Sequence, residues 1–164
     1  MRIIRIPRRL VAAPLALAAL GCHATESFDP PRSPALVAAE PLPVTLSNDL
    51  RGLRERDSVQ SQETTFRIGR LLQRLFVARD GLAFLSAVAT NLETEWQGPD
   101  GWSSSYSVSV HLQLEGTGHL VTASAQRSAA ERELASHLAI EDCVAELYSR
   151  VAELLRANAR SGAF

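Results

Sequence analysis

The polar side chains that could carry out chemistry occur at three places in the sequence. The Ser run at 103–105 offers a nucleophile, but nucleophilic catalysis needs a neighbouring base and an oxyanion hole, and the sequence shows neither. His111 and His119 flank a short turn and offer two metal ligands, but they are not opposite each other in the expected register. Glu141 and Asp142 are adjacent carboxylates, and neighbours on a helix point about 100° apart, which favours a solvated face.

Sequence motifs that mark common active sites do not occur in the chain. There is no Gly-rich phosphate loop, Cys-x-x-Cys pair, His-Glu-x-x-His motif or nucleophile elbow. The sequence therefore predicts a protein that is not an enzyme and that uses no metal and no cofactor. An envelope enzyme with an unrecognised site is the weaker alternative.

The first 22 residues have the organisation of a bacterial export signal. The basic residues Arg2, Arg5, Arg8 and Arg9 precede an apolar run from Leu10 to Leu20, which is too short to span a membrane permanently. The run ends in Gly21-Cys22, and this small residue before a Cys resembles a lipoprotein lipobox. The resemblance implies that residues 1–21 are a signal peptide and that the Cys22 thiol is alkylated by diacylglycerol.

The residues around Cys22 leave one alternative and suggest a destination. His23 stands where lipoproteins retained at the inner membrane often carry Asp, so the resemblance implies the periplasmic face of the outer membrane. Cleavage by the ordinary signal peptidase, for example after Ala24, is the alternative. In that case a Cys22–Cys143 disulfide becomes possible in an oxidising compartment.

The charge balance argues against a nucleic-acid partner. The chain has 17 basic residues, all Arg, against 18 acidic residues, for a net charge of −1. Four of the Arg and none of the acidic residues lie within 1–21, so the mature chain carries a net charge of about −5. An acidic protein binds the phosphate backbone weakly.

The mature chain divides into a tether and a single domain. Five prolines between residues 23 and 43 favour extended chain over helix, so we interpret residues 22–41 as a lipidated Cys followed by a Pro-rich tether. A disordered N-terminus without a role is an equal alternative. Residues 42–160 are then one domain of ordinary size.

Hydrophobic periodicity within 42–160 predicts six elements. A short strand at Pro43–Ser47 precedes an amphipathic helix over Glu63–Asp80. The segment 83–97 fits a helix or a strand, and the turn that follows it favours a strand from Ala87. Strict alternation from Tyr106 to Leu114 predicts a further strand, and His119–Gln126 predicts the next, with Val121, Ala123 and Ala125 facing inward.

A long helix closes the predicted domain. It begins at a capping box at Ser128–Glu131 or near His137, and its apolar stripe includes Cys143, which favours a buried, inert thiol. The expected fold is α+β, in the order β-α-β-β-β-α. Two helices then pack on one face of a four-stranded mixed sheet, because this buries the apolar side of each element.

Two sets of side chains are candidates for binding. Arg67, Arg70 and Arg74 lie largely on one face of the first long helix, and guanidinium groups bind phosphate, so they are candidates for contact with anionic lipid headgroups. A solvated helix face is the default interpretation. Trp96 and Trp102 bracket a hairpin turn, where a cross-strand aromatic pair is favoured over a docking surface.

The order of these elements resembles LptE, the lipopolysaccharide-assembly lipoprotein. The resemblance is carried by the strand from Tyr106 to Leu114, the turn at Gly116–Gly118 and the helical stretch Ala139–Leu155, and it covers roughly residues 42–160. It implies a non-enzymatic accessory that binds an outer-membrane β-barrel protein (LptD-like), with lipopolysaccharide as a further candidate ligand. A lipoprotein subunit of another envelope complex, either an ABC-type lipid transporter or a secretion system, is the alternative.

Overall fold

The expected α+β architecture is confirmed in a computed structural model, which describes residues 33–48, 62–78, 83–96, 99 and 101–161, with side chains in the first long helix from residue 68. The elements are, in chain order, α1 (Pro34–Val37), β1 (Thr45–Leu46), α2 (Gln62–Leu75), β2 (Ala83–Trp96), β3 (Trp102–Leu114), β4 (Thr117–Ala129) and α3 (Arg132–Ser161). The described strands form one mixed sheet in the order β1-β2-β3-β4. β1 is parallel to β2, and the other neighbours are antiparallel.

The core lies between one face of this sheet and the helices. Val108, Val110 and Leu112 on β3 face Val144, Leu147 and Val151 on α3, and all six are at most 2 % exposed. Ile68 and Leu72 on α2 belong to the same cluster. We call this helix-covered side the inner face of the sheet and the opposite side the outer face.

β2 is a strand along its whole length, which resolves the ambiguity of segment 83–97. A β-bulge between Ala87 and Ala89 leaves Val88 without a partner on β3. One extra residue moves every later side chain to the other face. Phe84 therefore lies on the outer face, whereas Leu92 and Trp96 lie on the inner face. Because the bulge interrupts the alternation, the apolar residues of this segment are four apart, as they would be on a helix.

α2 ends five residues before the predicted end at Asp80. After Leu75 the chain extends and pairs with Leu42, whose N–H donates to Leu75 and whose carbonyl accepts from Val77. These long-range bonds replace the next helical turn. The predicted stop at Gly81 lies outside the described residues.

α3 begins at Arg132, and both predicted starting points are wrong. Ser128, the expected cap, is a residue of β4 paired with Ser103. The first helical bond instead joins the Ala135 N–H to the Glu131 carbonyl.

The turn before β4 consists of Glu115 and Gly116, both with positive φ (46° and 88°), which is the conformation of a tight hairpin turn.

Part of the predicted tether is packed on the domain. α1 forms within it although its prolines led us to expect no helix, because Pro34 occupies the first turn, where a missing N–H has no consequence. Leu36 is buried in the core. The Tyr148 hydroxyl donates to the Glu40 carbonyl at 2.6 Å and further fixes the segment against α3.

Candidate functional site

The outer face of the sheet is covered by no described helix. β3 contributes Ser105, Ser107 and Ser109 to it, and the side chains on both neighbouring strands are mostly polar. Such a clean division between an apolar inner face and a polar outer face is typical of an antiparallel sheet with one solvated side.

Three large apolar side chains interrupt this polar surface. Phe84, Val88 and Leu120 are 41 %, 60 % and 65 % exposed. Phe84 is paired with Gln113, and Leu120 with His111, so they lie on either side of β3 and about 10 Å apart across the strands. Large contiguous apolar patches mark interaction surfaces, whereas these three side chains are separate apolar contact points on a polar face.

The two Trp residues are directly opposite each other in the register of β2 and β3, as the sequence predicts. The guanidinium of Arg132 lies over the Trp102 ring, 5.5 Å from its centroid, which is within the range of a cation–π contact. Trp96 remains 63 % exposed. The two Trp residues are therefore cross-strand neighbours, and the Trp96 side chain is exposed to a partner.

Two of the three Arg side chains of α2 that are candidates for headgroup contact lie among the described residues, and both are exposed. Arg74 donates to the carbonyl of Val37 at 3.3 Å and so holds the end of α1. Arg70 also has a structural interaction. The side chain of Arg67 lies outside the described residues. Headgroup binding by these residues stays a prediction.

The edge of the sheet at β4 is occupied by side chains from α3. Glu146 accepts a hydrogen bond from the Ser124 N–H at 3.0 Å, and Arg150 donates to the Thr122 carbonyl and to Glu146. Exposed strand edges bind other strands, and on β4 the backbone groups that another strand would use are already bonded to these side chains. We call Glu146 and Arg150 the edge clamp.

The clamp predicts a pH-dependent contribution to stability. The Ser124 N–H, with the Arg150 guanidinium, lowers the pKa of Glu146 below its usual value. A carboxyl whose pKa is lower in the folded state stabilises the fold above its unfolded pKa, and this contribution disappears as the pH falls through the folded pKa. We expect the difference in free energy of unfolding between the wild type and Glu146→Gln to be largest near neutral pH and to vanish in acid.

Urea unfolding at several pH values measures this difference. Glu153→Gln is the control, since Glu153 is exposed on the same helix. A difference between wild type and Glu146→Gln that is the same at all pH values would show that the clamp is not ionic.

Three hydroxyl groups meet on the inner face between β2, β3 and α3. The hydroxyl oxygens of Thr94, Ser104 and Ser136 are 3.0–3.1 Å from one another. Each can donate to one neighbour and accept from another, so the set is satisfied internally. Ser103, on the other face, accepts from Gln126 at 3.0 Å. None of these contacts joins a Ser to a His or carboxylate, which is the arrangement that activates a Ser nucleophile.

The two adjacent carboxylates have separate structural roles. Asp142 is paired with Arg127. Glu141 is only 5 % exposed, so our interpretation of it as part of a solvated face is wrong. It accepts from the Ser33 N–H at 2.9 Å, and its other oxygen lies 3.2 Å from His137. The contact comes from Ser33 at the start of α1, which the sequence of α3 alone does not reveal.

His111 and His119 lie on opposite faces of the sheet, because their partners are Leu120 and Leu112, which are on opposite faces. Two ligands separated by the sheet cannot hold one ion. In the described part of the chain, no group of three or more potential metal ligands occurs.

Cys143 is fully buried, as its place on the apolar stripe predicts. Burial raises the pKa of its thiol to about 12. At pH 8 about one such thiol in ten thousand is ionised, and only the thiolate reacts with thiol reagents.

We expect the Cys22→Ser variant of the full-length protein, which retains Cys143 alone, to resist a disulfide reagent when native and to react when unfolded. Rapid reaction of the native protein would contradict the burial of this thiol.

Cys22, the predicted lipidation site, lies outside the described residues, as do the signal peptide and most of the tether. Among the described helices, none is long and apolar enough to cross a membrane. No family model matches the chain, and no curated protein matches it either.

Sequence reasoning missed the edge clamp and the anchoring role of Glu141. An i,i+4 pair of Glu146 and Arg150 is visible in the sequence, but its partners on β4 are not. The contact between Glu141 and Ser33 joins residues 108 positions apart, and no local signal predicts it.

Proposed function

We propose that this protein is a lipid-anchored outer-membrane lipoprotein that acts as a non-enzymatic accessory in lipopolysaccharide transport and assembly by binding an LptD-like β-barrel. The observation that carries the proposal is the uncovered outer face of the sheet with its exposed Phe84, Val88 and Leu120. A binding role needs such a surface. A catalytic role needs a reactive set of polar groups.

The buried polar groups among the described residues support a binding role. The hydroxyls of Thr94, Ser104 and Ser136 bond to each other, and Glu141 is bonded to the backbone of Ser33. Each of these groups stabilises the fold. No described buried side-chain polar atom lacks a hydrogen-bond partner. Active sites, in contrast, retain polar groups whose partners are supplied by the substrate.

The chain between Cys22 and Ser33 limits the distance between the domain and the membrane. If Cys22 carries the lipid, residues 22–32 alone connect it to the packed residue Ser33, and such a length of chain spans at most about 40 Å. The domain would then remain close to the periplasmic surface, where the periplasmic end of a barrel is within reach.

The second candidate is a lipoprotein subunit of an ABC-type lipid transporter or secretion complex. It uses the same anchor and the same open face, so the two candidates differ only in the partner. Lipopolysaccharide contact through Arg67, Arg70 and Arg74 is a further part of the proposal.

Affinity purification of the full-length protein from membranes of its own host, combined with intact mass measurement, tests this function. We expect a large outer-membrane barrel to co-purify and the mass to show a diacylglycerol-modified Cys22. The Cys22→Ser variant should lose the membrane association. Recovery of inner-membrane transporter subunits would replace the proposal with the second candidate. An unlipidated protein about 2 Da lighter than its reduced form would indicate a disulfide and contradict both.

A further inference from the structure

The two long strands at the sides of the sheet differ in how their outer edges are covered. The edge clamp occupies the middle of β4. On β2, by contrast, β1 pairs only with Phe84 and Leu85, and the Ser47 N–H adds one bond to the Leu85 carbonyl. From Ser86 to Trp96 no described strand lies beside β2.

The register shows which backbone groups of β2 point to this side. The Ser124 N–H bonds to Glu146 and so points away from β3. Ser107, the partner of Ser124 on β3, therefore directs its own N–H and C=O toward β2. There it faces Asn91. Backbone groups alternate in direction along an antiparallel strand. Asn91, Glu93 and Glu95 therefore bond to β3. The N–H and C=O groups of the alternate residues Thr90, Leu92 and Thr94 point outward.

The side chains along this edge differ in character between the two faces. Glu93 and Glu95 are exposed on the outer face, where the Asn91 amide bonds to Glu93 at 3.0 Å. Leu92, which is half-buried, and the exposed Trp96 lie on the inner face. A strand placed beside β2 would hold its residues within about 5 Å of these side chains, and opposite charges across strands are favourable.

We propose that the edge of β2 from Thr90 to Trp96 accepts an extended segment of the protein partner as an additional strand, and that this segment alternates basic and apolar residues. The basic residues face Glu93 and Glu95, and the apolar residues face Leu92 and Trp96. Backbone hydrogen bonds provide the affinity, and the alternate side chains provide the specificity. The inference deepens the proposed function in that it requires a protein partner, but it does not depend on lipidation.

Hydrogen exchange measured by NMR on the full-length protein tests the backbone part of the inference. The probe is a nine-residue peptide in which Arg alternates with Val, and the control peptide carries Glu in place of Arg. We expect the Arg peptide to slow exchange at Thr90, Leu92 and Thr94, whose amides point away from β3 and have no partner strand among the described residues. Asn91, Glu93 and Glu95 should be protected already. Binding without new protection at the three open amides, or protection along β4 instead, would overturn the inference.

Charge reversal tests the side-chain part. In the double variant Glu93→Lys and Glu95→Lys, affinity for the Arg peptide should fall about tenfold, and the Glu peptide should gain affinity by a similar factor. Glu153→Lys is the matched control, since it changes an exposed Glu on α3 away from β2. Equal effects of the control and the double variant would overturn the inference, as would concentration-dependent dimerisation that competes with the peptide, because a second copy would then be the occupant.

The outcomes separate the two proposals. A barrel that co-purifies with a protein whose β2 edge binds neither peptide would leave the proposed function intact and overturn the edge inference. Peptide binding as described, together with inner-membrane partners, would keep the edge inference and overturn the proposed function.

Discussion

The Leu112→Ala variant should lose about 2–5 kcal/mol of its free energy of unfolding, while Leu120→Ala should change it by less than about 0.5 kcal/mol. Leu112 is fully buried beneath the helices, whereas Leu120 is 65 % exposed. The two side chains belong to neighbouring strands and lie at almost the same level of the sheet, but on opposite faces. Removing three carbon atoms from the inner face leaves a cavity, and removing them from the outer face does not.

Chemical denaturation of both variants at neutral pH measures this difference. It also tests whether the outer face is open in the isolated protein, which the binding proposal requires. A loss of several kcal/mol in Leu120→Ala would mean that another part of the chain covers Leu120. The outer face would then be part of a second core.

Removal of the buried carboxylate at Glu141 should have the second large effect. The Glu141→Ala variant leaves the Ser33 N–H without its acceptor and the His137 ring without its partner, and an unsatisfied buried donor costs about 1–3 kcal/mol. We expect residues 33–43 to detach from α3 and to become susceptible to proteolysis. Glu141→Gln retains a side-chain acceptor and should lose less.

Limited proteolysis and denaturation of these variants, with Glu153→Ala as control, distinguish the outcomes. Glu153 is exposed on the same helix, so its loss should change neither stability nor cleavage. If Glu141→Ala behaves like this control, the other contacts of the segment before β1, among them Leu36, Tyr148 and the pairing of Leu42, are enough to hold it.

Local patterns predicted the fold class, because the apolar spacing of β3 and α3 is regular over many residues. Tyr106 to Leu114 alternates without interruption, and the stripe through Cys143, Leu147 and Val151 keeps the helical period. The ends of the elements were less predictable, since long-range contacts decide them. The pairing of Leu42 with the chain after Leu75 ends α2 early, and a bulge at Val88 disrupts the alternation of β2.

The Trp pair and the two edges of the sheet were predictable only in part. The register of Trp96 and Trp102 follows from the turn between them, and the sequence indicated it. The difference between the two sheet edges could not be predicted from the sequence. It depends on where Glu146 and Arg150 contact β4 and on the short length of β1. Both are consequences of tertiary packing, for which a single sequence has no local signal.

Photo-crosslinking in the native envelope tests the central claim most directly, namely that the outer face of the sheet binds an outer-membrane barrel. A photoreactive amino acid is placed at Val88, which is exposed at the start of the open β2 edge, and in a control at Glu153 on α3. We expect a crosslink from position 88 to a large outer-membrane β-barrel protein and none from position 153. A crosslink from position 88 to an inner-membrane transporter subunit, or equal crosslinking from both positions, would contradict the claim.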